Sequence, residues 1–97
     1  MKAAETILKQ MGGIGRIRAM TGAKQFLALA GQYVGVQFKF PNRLRSRGNY
    51  VRITLNVGDT YDMRFQNGAK VVAEFKGVYA DQLKSLFEEQ TGLRLSL

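Results

Sequence analysis

Tyr33-Val34-Gly35-Val36-Gln37-Phe38-Lys39-Phe40-Pro41 is the stretch that decides the fold. Val34, Val36, Phe38 and Phe40 alternate strictly with Tyr33, Gly35, Gln37 and Lys39, the pattern of a strand with one dry face and one wet face. Pro41 cannot donate to a ladder and ends the strand. The same period returns three times downstream, in Val51, Ile53 and Leu55, in Tyr61, Met63 and Phe65, and in Val71, Ala73 and Phe75. Asn56-Val57-Gly58-Asp59 and Asn67-Gly68 supply turn chemistry between these runs, so the centre of the chain reads as an antiparallel meander.

Working outward, residues 3–11 carry Ala4, Ile7, Leu8 and Met11 at helical spacing, and Gly12-Gly13 follows where a C-terminal cap belongs. Residues 79–91 repeat the device, with Ala80, Leu83, Leu86, Phe87 and Gln90 on one side and Gly92 as the cap. Between the first helix and the meander, Ile14, Ile17 and Ala19 alternate with Arg16 and Arg18, and the spacing predicts two short strands around a turn at Thr21-Gly22. With 97 residues, 45% of them hydrophobic, there is material for one core. The expectation is a single α+β domain over 1–97: an antiparallel meander of about four to six strands, with a short N-terminal helix and a C-terminal helix packed on one face.

Parity then constrains the uncovered face, because a one-residue slip would turn every side chain over. A three-residue loop 57–59 pairs Thr54 with Asp62 and Arg52 with Arg64. A loop 67–69 would set Arg64 opposite Val72 and Asp62 opposite Glu74. One compatible register across the 41–49 loop places Lys39 beside Arg52, giving a row Lys39–Arg52–Arg64. Like charges directly opposite are unfavourable unless neutralised, which suggests an anion site; a solvated salt-bridge lattice with Asp62 accounts for the same residues. Tyr33 and Tyr50 share this face and have the character that stacking on unpaired bases requires.

Fifteen Lys and Arg against seven Asp and Glu give a net charge of +8. Residues 1–58 hold ten basic and one acidic residue, so the excess lies there. Arg43, Arg45, Arg47 and Arg52 fall within ten residues, in and beside a polar loop with Gly48 at its flexible point. Each guanidinium offers a bidentate fork to phosphate or to a guanine edge. A basic loop serves equally well against an acidic protein.

With neither cysteine nor histidine, the chain has no disulfides, no thiolate metal site, no common zinc ligand set and no Ser-His-Asp or Cys-His nucleophile. Gly12-Gly13-Ile14-Gly15-Arg16 follows a helix, whereas a phosphate-binding loop follows a strand. No cofactor and no enzyme activity are expected. The first ten residues lack the apolar core of a signal peptide and no stretch approaches a membrane span, so a cytoplasmic protein is expected, without a membrane partner.

Met20-Thr21-Gly22-Ala23-Lys24, Asn49-Tyr50-Val51-Arg52-Ile53-Thr54-Leu55-Asn56 with Asp59-Thr60-Tyr61, and Val78-Tyr79-Ala80-Asp81-Gln82-Leu83 leading to Phe87-Glu88-Glu89 and Thr91-Gly92-Leu93 carry a similarity over most of the chain. In these segments it resembles a group of small uncharacterised proteins encoded by bacteriophages, prophages and integrative elements. The Arg-rich stretch and the Gln32–Gly35 region look longer or more basic than in that group. The resemblance implies a mobile-element origin and transfers no activity.

The expected function is non-enzymatic nucleic-acid binding, single strand or RNA over duplex, through Lys39, Arg43, Arg45, Arg47, Tyr50, Arg52, Arg64, Arg16 and Arg18. The alternative is a protein-binding module, a host-directed inhibitor that sets the same basic surface against an acidic protein. Sheet edges, or the tail Leu93, Leu95 and Leu97, would allow a homodimer.

Overall fold

The structure, a computed structural model, describes residues 2–42 and 47–95. The chain runs α1 (Lys2–Gln10), α2 (Ile14–Thr21), β1 (Lys24–Leu29), β2 (Val34–Lys39), β3 (Tyr50–Leu55), β4 (Tyr61–Asn67), β5 (Lys70–Val78), a 3₁₀ turn (Ala80–Gln82) and α3 (Leu83–Thr91). The five strands form one antiparallel sheet in chain order, β1-β2-β3-β4-β5. Its inner face presents Val36, Phe38, Val51, Ile53, Met63 and Phe65, all essentially without solvent contact. Ala4 and Ile7 from α1, Met11 just beyond it, Ile17 from α2, and Leu83 and Phe87 from α3 close over them as one core.

Phe87 joins α3 to the sheet: its ring lies 5.9 Å from Phe38, 5.2 Å from Phe40 and 6.2 Å from Phe65. Phe26 stacks on Phe38 at 4.9 Å, extending the cluster to the β1 edge. Such ring pairs add about 0.5–1.5 kcal/mol each beyond the area they bury.

The segment 14–29 departs from expectation. Its first half is helix α2 and only its second half is strand. Ile17 and Thr21, one helical turn apart, are the buried positions, and Gly22 closes the helix in the left-handed region with φ 73°, its N–H donating to the Arg18 carbonyl at 2.8 Å. Thr21 Oγ1 donates to the Ile17 carbonyl at 2.6 Å and accepts from the Ala23 N–H at 3.1 Å. The buried pair Ile17 and Thr21, four apart, shares one side of a helix, while Ile14 is left exposed, and Thr21-Gly22 is a helix stop where a hairpin turn was expected. Thr91-Gly92 ends α3 identically, with Thr91 Oγ1 donating to the Phe87 carbonyl at 2.7 Å and accepting from the Leu93 N–H at 3.1 Å.

The β3–β4 hairpin has the expected register, Thr54 opposite Asp62 and Arg52 opposite Arg64. Asn56 Oδ1 organises its loop, accepting from the Gly58 and Thr60 N–H groups and from the Thr60 hydroxyl.

The β4–β5 hairpin does not follow the expected register. Asn67 pairs with Lys70, leaving a two-residue loop whose first position, Gly68, has φ 62°. A type II′ turn reserves that position for glycine. An irregularity after Gln66–Val71 then inserts one residue, so Phe65 faces Ala73 and Arg64 faces Glu74. Val71 is consequently turned outward, 47% exposed, while Val72 packs against the core.

The 41–49 loop is anchored at its described ends. Asn42 Nδ2 donates to the carbonyls of Gly48 and Thr91, at 2.8 and 3.1 Å. Gly48 is a packed position and not a flexible point: with φ 100°, a Cβ there would lie 3.2 Å from the Gln66 carbonyl oxygen and 3.3 Å from Phe65 Cβ. Beyond α3 the tail folds back, Leu95 fully buried and its N–H donating to Glu88 at 2.8 Å, so Leu95 is not available for self-association. Leu97 lies outside the described residues.

Phe38→Ala and Phe65→Ala are each expected to lower unfolding free energy by about 3–5 kcal/mol in denaturant titrations, whereas Val71→Ala changes it by less than about 0.5 kcal/mol. Comparable losses at all three positions would contradict the bulged register. Gly35→Ala should be as damaging as a core truncation, because its Cβ would run into the Ile53 carbonyl oxygen across the β2–β3 pair.

Candidate functional site

The helices cover one face of the sheet, and the alternate residues of β2 to β5 line the other. Register fixes the neighbours on that uncovered face. One row across the sheet reads Leu27, Gln37, Arg52, Arg64, Glu74. The next reads Lys24, Lys39, Tyr50, Gln66, Val71. The expected row Lys39–Arg52–Arg64 therefore shifts by one pair: Lys39 stands beside Tyr50, and Gln37 beside Arg52. Parity permits either choice, and the anchored 41–49 loop selects between them.

Two pairs of like charges lie directly across neighbouring strands on this face, Lys24 with Lys39 and Arg52 with Arg64. Arg64 is balanced on its far side, where its Nη2 lies 3.2 Å from Glu74 and its Nε donates to the same carboxylate oxygen at 3.2 Å. Both side chains are well exposed, so the pair contributes little to stability. Arg52 forms no ion pair among the described residues and lies over the Tyr33 ring, 5.4 Å from its centroid. Tyr33 is 55% exposed and retains ring surface for a ligand.

Asp62 does not join a lattice with Arg52. Its Oδ1 accepts from Asn56 Nδ2 at 3.2 Å and from the Gly77 N–H at 3.3 Å, tying the β3–β4 loop to a bulge in β5. Tyr50 is half-buried between Lys39 and Gln66; burial pushes its phenol above the ordinary value, an effect partly opposed by the charge of Arg52. The phenol is therefore a neutral hydroxyl at physiological pH. Tyr33, Arg52, Thr54, Asp62, Arg64, Glu74 and Lys76 together line an open pocket of ≈ 260 Å³. The pocket as such is not legible in the sequence, because it depends on the β4–β5 bulges that bring Glu74 and Lys76 beside Arg64.

The other expected site residues lie elsewhere. Arg16 and Arg18 are exposed on α2, away from the sheet rows. Arg47 turns to the C-terminal end of α3, where its Nη1 donates to the Glu89 carbonyl at 3.3 Å and Gln90 Nε2 donates to its carbonyl at 3.4 Å. A cation at that end is favoured by the helix dipole. Arg43 and Arg45 lie outside the described residues.

Among the described residues no three carboxylates gather as a metal site, and no helix is long and apolar enough to cross a membrane. Compared with family models, curated proteins and solved structures, the chain matches none.

Lys39→Glu converts the Lys24–Lys39 opposition into an attraction and is expected to raise stability by a few tenths of a kcal/mol, more at low salt than at high. Thermal melts at two ionic strengths check this; a lower melting temperature at low salt would place the two ammonium groups apart.

Proposed function

We propose that the protein is a non-enzymatic nucleic-acid-binding accessory protein of a mobile genetic element, and that it lays single-stranded nucleic acid across the uncovered face of its sheet. One observation carries this reading: two cross-strand cation pairs share one uncovered face with an exposed tyrosine and a half-buried one. Opposed cations cost stability in the free protein, and phosphates between them would convert repulsion into charge-assisted hydrogen bonds. Aromatic rings beside them suit bases that are already unstacked, which favours single strands over duplex. A duplex reader would need a basic helix free to enter the major groove, whereas α3 sets Lys84 against Glu88 and Glu89 and is held to the core through Phe87. Arg43 and Arg45, in the stretch of chain that leads into β3, would add further bidentate forks to the phosphate path. A mobile-element origin, which the resemblance read from the sequence implies, would suit such an accessory role.

Fluorescence anisotropy with labelled single-stranded and duplex oligonucleotides, repeated across salt concentrations, tests the proposal. Single strands should bind more tightly than duplex, with a log–log salt slope of about −0.7 for each phosphate engaged. The variant Arg52→Ala should reduce that slope by about 0.7. The triple variant Arg43→Ala, Arg45→Ala, Arg47→Ala isolates the contribution of the loop. Absence of binding even at low salt would overturn the proposal and direct the same cations toward an acidic protein surface.

A further inference from the structure

The pocket on the uncovered face contains more than a phosphate site requires. A surface that only neutralises a backbone gains nothing from carboxylates, which repel it, yet Asp62 and Glu74 line the same pocket as Arg52, Arg64 and Lys76. Glu74 meets Arg64 through Oε2, leaving Oε1 for a ligand, and both contacts of Asp62 go to Oδ1, leaving Oδ2. The pocket thus offers arginine donors beside carboxylate acceptors, with the exposed Tyr33 ring at its border.

A base that answers this arrangement needs an acceptor next to N–H donors on one edge. Guanine has the O6 acceptor beside N1–H and the N2 amino group, and an arginine is the usual donor to its O6 and N7. Adenine places one amino group beside ring acceptors, uracil a single N–H between two carbonyls, and cytosine an amino group beside two acceptors. Two carboxylates ask for the greatest number of donors, and guanine supplies it. A purine also presents the larger face to Tyr33.

We propose that this pocket is a guanine subsite, in which Arg64 donates to O6, Glu74 Oε1 accepts from N1–H, Asp62 Oδ2 accepts from the N2 amino group, and Tyr33 stacks on the ring. The subsite rests on the single-strand reading given above. It gives the uncovered face a base preference that the cation pairs alone would not have.

The test compares short, otherwise identical single-stranded oligonucleotides that carry guanine, inosine, adenine or cytosine at one position, titrated against the full chain by anisotropy at fixed salt. The guanine oligonucleotide should bind about tenfold more tightly than the adenine one. Inosine, which lacks only the N2 amino group, should lose most of that advantage.

Glu74→Gln supplies the decisive sign. It removes a negative charge, so binding of the adenine oligonucleotide should tighten, while the guanine-to-adenine ratio falls toward one. Pure electrostatics predicts tighter binding of every oligonucleotide with the ratio unchanged. Equal affinity for guanine and adenine, a preference for cytosine, or a preference that survives Glu74→Gln would each overturn the subsite while leaving single-strand binding in place. Failure of every oligonucleotide to bind would overturn both.

Discussion

The contact of the Phe87 ring with Phe38, Phe40 and Phe65 is the interaction on which the rest depends. It is the meeting of three separate pieces of chain: the strand β2 with its Phe40 extension, the strand β4, and the C-terminal helix. By seating α3 on the sheet it decides which face is dry. Everything on the opposite parity is then committed to water or to a partner, Arg52 and Arg64 included. The same seating explains the two Thr-Gly helix stops. Each helix must end abruptly for the chain to turn back onto the core, and a threonine hydroxyl that serves both the turn before it and the N–H two residues after it lets a buried helix end without an orphaned polar group.

A second constraint follows from the two bulges of β5. A two-residue loop at Gly68-Ala69 on its own would set Ala73 opposite Arg64 and turn the apolar residues of β5 the wrong way. One extra residue at Val71–Val72 restores the parity. Its by-product is the Arg64–Glu74 juxtaposition and the pocket beside it. Chemistry on the wet face is thus set by what packing on the dry face requires.

Much of this was legible in the sequence, because strict alternation in β2, β3 and β4 admits one parity each. The Arg52–Arg64 pair followed from that parity and from the Asn56–Asp59 turn. What escaped is equally specific. Residues 14–21 form a window too short for period 2 and period 3.6 to be told apart, and Thr-Gly ends a helix as readily as it opens a turn. Gly68 was recognised as a turn residue, but its φ, and therefore the loop length, was not. In the sequence Gly48 has the character of a flexible loop point and Leu95 that of an apolar tail open to a second copy, since nothing local signals that a loop glycine or a terminal leucine is packed.

The sequence by itself determined the class, the meander, the inner residues of the central strands and the concentration of positive charge in the first 58 residues. Those properties are carried by local periodicity and composition. Tertiary structure alone decided the contacts beyond that parity. It sent Arg47 to the end of α3 and Arg16 and Arg18 to an outer helix, set Arg64 against Glu74 and laid Arg52 over the Tyr33 ring. The reason is physical: long-range register is fixed by bulges, loop anchors and helix docking, each a contact between residues distant in the chain, and no window of neighbouring residues contains that information.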